Sequence, residues 1–134
     1  MNYRVPDDPS LEQIENDAWG DPPQDATKLI ATVHRLRRKP ISALNDADLR
    51  VLVGQNVGLD TLMPRVLERL EHDPLLEADF YPGDLLTAVL AAPSSYWTAH
   101  PDHRTRIEHI IAGIDNPDPQ LKADIEGFER GIRP

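Results

Sequence analysis

The chain has 134 residues, a formal net charge of −9 and no cysteine, which leaves room for one domain with its own core and rules out a disulfide framework or a thiolate metal site. It is 40% hydrophobic but only 5% aromatic, so that core must be built mainly from Leu, Ile, Val and Ala. The acidic balance argues against nucleic acid or an anionic membrane as ligand, since both would be repelled over the whole surface, and it favours basic partners.

The opening MNYRVPDDPSLEQIE lacks the apolar core of a signal peptide, and nowhere do about eighteen apolar residues run together, so the expectation is a soluble cytoplasmic chain. Residues 1–9 read as a tail that packs through Tyr3 and Val5, ahead of a single domain over 10–134. Asp8-Pro9 read as N-cap and first helical residue of a short helix through Leu11 and Ile14, which Trp19-Gly20 ends. Pro22-Pro23 then keep the link extended. From Asp25, the spacing of Ala26, Leu29, Ile30, Val33 and Leu36 predicts an amphipathic helix that buries these residues and closes before Pro40. Its last turn carries Arg35, Arg37, Arg38 and Lys39, which suits the negative end of a helix and reads as a solvated cluster.

The clearest start in the sequence follows: Asn45 as N-cap, Asp48 at the third helical position, and Leu44 facing Leu49 as a staple. That helix buries Leu49, Leu52 and Val53 and stops at Gly54 or shortly after. After Gly58, Asp60 reads as the next cap, with Pro64 in or near the first turn and Met63, Val66, Leu67 and Leu70 forming one stripe. Asp73-Pro74 break it. Leu85, Leu86, Val89 and Leu90 mark a further helix that ends before Pro93, and a short turn passes through Tyr96 and Trp97. His100-Pro101-Asp102 open a helix that buries Ile107, Ile110 and Ile111, with Gly113 as C-cap, and Leu121, Ile125 and Phe128 form a last stripe toward Gly131. No stretch shows sustained two-residue alternation bounded by hairpin turns, so the predicted fold is all-α: one domain, an irregular array of about seven short helices.

Chemistry concentrates between the fourth and fifth of these segments. No Lys or Arg lies between Arg69 and Arg104, whereas Glu71, Asp73, Glu77, Asp79, Asp84 and Asp102 do. Within that interval Glu77-Ala78-Asp79-Phe80-Tyr81-Pro82-Gly83-Asp84 sets two aromatics among three carboxylates in a Pro-Gly loop, the setting in which scaffolds present binding residues. Three carboxylates can serve acid/base chemistry or hold Mg²⁺, but no nucleophile motif accompanies them, and Asp84 also fits a helix cap. Asp79 and Glu77 have no such local duty and suit pairing with Lys or Arg of a partner. Of Phe80 and Tyr81, one is expected inward and one outward, with both tucked under Pro82-Gly83 as the alternative; Tyr81, with its polar tip, is the better contact. Trp19 and Trp97 are expected in the core. His100, His103 and His109 do not stack on one helical turn, and neither an H-E-x-x-H pair nor a cysteine is present, so no zinc site is expected and no cofactor. GQNVG lacks the spacing and lysine of a phosphate loop.

The run from Val53 to Leu86, with Gly54-Gln55, Gly58-Leu59, the L-x-P-x-x-L-x-x-L helix from Leu62 to Leu70 and D-F-Y-P-G-D-L-L from Asp79 to Leu86, resembles the immunity proteins of bacterial contact-dependent growth inhibition (CDI) systems. Ile14-Glu15-Asn16-Asp17-Ala18-Trp19-Gly20-Asp21-Pro22-Pro23 is similar to the E-N-D-x-W-G-x-P-P entry of the same family. The two blocks cover about half the chain. The resemblance implies a non-enzymatic cytoplasmic antitoxin that binds the C-terminal toxin domain of a cognate effector, commonly a nuclease, by stoichiometric contact. It assigns partner binding to Glu77, Asp79, Tyr81 and Asp84, with Asp17 and Asp21 extending the patch. The rival expectation is a helical adaptor that binds an unrelated basic protein.

Overall fold

A computed structural model of the chain describes residues 7–131, and these form eight α-helices and one 3-10 turn, with no strand among the described residues. The helices are α1 (Leu11–Glu15), α2 (Lys28–Arg37), α3 (Asp46–Gly54), α4 (Leu59–His72), α5 (Asp84–Leu90), α6 (Ser94–Ala99), α7 (Pro101–Ala112) and α8 (Pro119–Gly131), and the 3-10 turn is Ile41–Ala43. The all-α expectation holds. The helix beyond the expected seven is α6, which takes the place of the turn at Tyr96 and Trp97: six residues between Pro93 and His100 are too few to display a period. The expected packing of Tyr3 and Val5 lies outside the described residues.

The centre is α3 packed on α5 and on α4, with α7 against α4 and α8 against α5. Its density comes from Leu49, Leu52 and Val53 of α3, the α4 stripe, and Leu85, Leu86 and Val89 of α5, nearly all closed to solvent. In α4 the stripe decides the structure. Pro64 sits in the second turn rather than the first and costs about 3 kcal/mol by deleting a backbone N–H, while Leu62, Met63, Val66, Leu67 and Leu70 each contribute roughly 1.5–3 kcal/mol on burial. Burial wins, and the proline is left on the exposed face.

Helix starts show which local signals prevail. Asn45 and Asp48 form the expected reciprocal capping box, at 2.8 and 3.1 Å, over a buried Leu44 and Leu49. At α1 the cap is Ser10 and not Asp8: Ser10 Oγ accepts from the Gln13 N–H at 3.2 Å, and Gln13 Oε1 accepts from the Ser10 N–H at 3.0 Å. Asp8 instead takes the Ser42 hydroxyl at 2.7 Å. The helix ends at Asn16 in a left-handed conformation, three residues before Trp19. Thr27 caps α2, two residues later than expected.

At α4 the start is Gly58 (φ 68°), and Asp60 is the second helical residue. A Cβ on Gly58 would lie 2.7 Å from Cδ1 of the fully buried Leu11, so Gly58→Ala combines left-handed strain with overpacking. It is expected to lower stability by about 2 kcal/mol, read from the urea midpoint at unchanged m-value.

One expectation fails in α2. Val33 and Leu36 are buried, but Leu29 and Ile30 are 43% and 46% exposed. The segment that precedes the helix accounts for this: its contacts, at His34 and Arg37, fall on the last turn and not on the first.

Candidate partner-binding surface

The loop between α4 and α5 is built around one carboxylate. Asp84, the first residue of α5, is buried, and its oxygens accept the backbone N–H groups of Ala78 (2.7 Å), Asp79 (2.9 Å) and Phe80 (2.8 Å). Gly83, at φ 87°, turns the chain into the helix, and its N–H closes the loop on the Leu75 carbonyl at 3.0 Å. Burial pushes the Asp84 carboxyl up, but the hydrogen bonds from the backbone of Phe80, Ala78, Asp79 and Tyr81 outweigh it and hold the group below the usual carboxylate range. Asp84 therefore stays ionised inside the fold. It does not face solvent, and its part in any docking is to shape the loop.

That wrapping sets the directions of the side chains. Leu76 and Ala78 pack against the core, while Phe80 and Tyr81 are 69% and 49% exposed, so neither aromatic points inward as one of them was expected to. The reason is that the backbone at 78–80 must keep its N–H groups on Asp84. Phe80 lies over the Arg50 guanidinium of α3, 4.6 Å from ring centroid to Cζ, and Arg50 also reaches Asp79 at 3.4 Å and Asp84 at 3.9 Å. Leu75, 40% exposed, adds apolar area beside Gly83. Glu77 is exposed and has no ion pair among the described residues. The result is a braced knuckle, two aromatics outward with Glu77 and Asp79 beside them.

Among the described residues no hydrogen bond or ion pair joins Asp17 or Asp21 to this knuckle; theirs run to α2 and Trp19. Asp17 accepts the Trp19 indole N–H at 3.2 Å and, through its carbonyl, Arg37 at 2.9 Å, while Asp21 pairs with Arg38 at 3.1 Å. Arg37, 1% exposed, also pairs with Glu15 at 2.6 Å and lies 4.1 Å above the Trp19 ring. Trp19 itself stays 43% exposed and so is a half-open clasp, whereas Trp97 is fully buried against Phe128, as expected of a core residue. The E-N-D-A-W-G block is thus largely structural.

Sequence reasoning missed Arg50 and ranked Tyr81 above Phe80. Nothing local links residue 50 to residue 80, but the close run of Asp, Phe, Tyr, Pro and Gly did mark the loop. Among the described residues no group of three or more His, Asp or Glu is placed to hold a metal ion, and no helix is long and apolar enough to cross a membrane.

A family model described as CDI immunity proteins matches residues 13–107, which hold both the clasp and the knuckle. No curated protein and no solved structure gives a significant match.

Proposed function

The chain belongs to the CDI immunity proteins, and from that membership we propose that it protects its cell by binding the C-terminal toxin domain of a cognate effector, one to one, in the cytoplasm. The family match over residues 13–107 carries this reading. The toxin we have in mind is a nuclease. A nuclease site is basic because it holds phosphates, so an acidic surface fits over it as the substrate does, without being cleaved. The knuckle is the proposed contact: Glu77 and Asp79 steer a basic partner, and Phe80 and Tyr81 supply the apolar anchor. Asp84 holds that loop in shape from within. Asp17 and Asp21 lie apart from it by their bonding and contribute to the general negative field.

Two features support the choice of surface. Large apolar side chains that are held rigidly outward cost solvation unless a partner covers them, and ordering the loop in advance removes an entropy cost from binding. The deciding experiment is co-expression of this chain with the toxin domain encoded beside it. Growth should be rescued and a one-to-one complex should co-purify; a folded protein that neither rescues nor binds an active toxin would reject the reading.

A further inference from the structure

Asp84 shapes the knuckle only as far as the backbone. Its bonds fix the N–H groups of residues 78–80 and leave the side-chain torsions of Phe80 undecided. The ring is mostly exposed, so burial does not choose its rotamer either. The one group placed to do so is the Arg50 guanidinium, whose carbon lies 4.6 Å from the ring centroid.

The surroundings of Arg50 hold that guanidinium in place. Helix α3 turns Leu49, Leu52 and Val53 into the core and packs on α5, which brings residue 50 to the edge where the loop enters α5. Arg50 Nε is buried there, 3.9 Å from Asp84 Oδ2 and without a hydrogen-bond partner, and Nη2 donates to Asp79 Oδ2 at 3.4 Å. Both distances are long for charge-assisted hydrogen bonds, so charge and stacking, more than bond geometry, keep the group where it is. Among the described residues no other Lys or Arg forms an ion pair with residues 77–84; Arg69 is taken by Asp46 and Arg106 by Glu71.

We propose that Arg50 is the positioning residue of the knuckle: its guanidinium face sets the Phe80 ring in the pose that the partner meets. The proposal rests on the knuckle being the contact surface. Compensating Asp79 and Asp84 needs only a positive charge, which lysine supplies equally. Posing a ring needs a flat face, which guanidinium has and an ammonium lacks. Arg50→Lys therefore separates the two roles.

The test begins with the free protein. The chain has two phenylalanines, and Phe128 is buried against Trp97, so carbon NMR of ring-labelled protein resolves Phe80. In the wild type the Phe80 ring should be ordered and the Arg50 side-chain protons shifted upfield by its ring current. In Arg50→Lys the ring should lose that order while the urea midpoint stays near the wild-type value. Toxin affinity should fall about threefold, the scale of an exposed cation–π contact, with the loss in the dissociation rate and association unchanged at low and moderate salt. Phe80→Leu keeps apolar area but offers no ring, and at so exposed a site it keeps the fold. In that background Arg50→Lys should leave the affinity unchanged.

An equally ordered ring in Arg50→Lys, a loss that falls on association, or the same loss in the Phe80→Leu background would each overturn the proposal. Failure of the knuckle as the contact surface looks different: the ring loosens in Arg50→Lys, and the affinity for the toxin does not change.

Discussion

Replacing Asp84 by Asn is expected to cost about 3 kcal/mol of stability, although the change removes no volume. The buried carboxylate accepts three backbone N–H groups. An amide offers one oxygen and turns an NH₂ toward donors, so at least one buried N–H loses its acceptor at roughly 1–3 kcal/mol and the remaining bonds lose their charge assistance. Urea unfolding reads the loss directly, and an unchanged midpoint would show that the loop does not depend on this residue. A pH signature accompanies it. The folded-state pKa of Asp84 is held below the ordinary value, so its contribution is full above the unfolded pKa of about 3.9 and fades as pH falls through the folded value. Wild type should therefore lose stability more steeply than Asp84→Asn on acidification below about pH 4. The variant should also bind toxin more weakly, because its knuckle is no longer shaped before the encounter.

Phe80→Ala is the second large effect, and it separates binding from folding. The ring is 69% exposed, so its removal should leave stability within about 0.5 kcal/mol while costing roughly 2 kcal/mol of toxin affinity, about thirtyfold in Kd. The loss should fall on the dissociation rate and be insensitive to salt. Glu77→Lys should do the reverse, slowing association and flattening its salt dependence with little effect on dissociation. Glu77 is the cleaner charge to reverse, because Asp79 also pairs with Arg50 and its reversal would disturb the brace under Phe80. Stopped-flow association at two ionic strengths, with dissociation followed by competition, distinguishes the two. If neither variant alters either rate, the knuckle is not the interface.

How much of this could be read in advance depends on whether the deciding contact is local. Asn45 with Asp48, Pro101 after His100, and the stripes of α4 and α8 carry their causes within a few residues, and each was legible. Ser10 with Gln13 is just as local, but Asp8-Pro9 stood beside it as a competing start, and only the Asp8 bond to Ser42 shows why that start is not used. Leu29 and Ile30 have the right period for burial; periodicity fixes a face and does not say where the neighbouring surface ends. Asp84 looked like a cap, but the cap position of α5 is Gly83 and Asp84 makes no capping bond; its oxygens serve the residues before it, which is a property of the closed loop. The outward turn of both aromatics follows from that closure, and the Arg50 brace comes from a helix about thirty residues away.

The Arg37 clasp has a consequence for the order in which this protein comes apart. One guanidinium holds Glu15, the Asp17 carbonyl and the Trp19 ring against the end of α2, closing a loop of about twenty residues. Letting go of any one of them leaves a buried cation short of a partner, so the three are released together or not at all. The segment from Ser10 to about Pro40 thus forms one opening unit, laid against the centre through Leu11, Val33 and Leu36. Proteases that reach the link near Pro22 in the intact cell would be sampling that unit, and their rate would report the strength of the clasp and not the stability of the whole molecule.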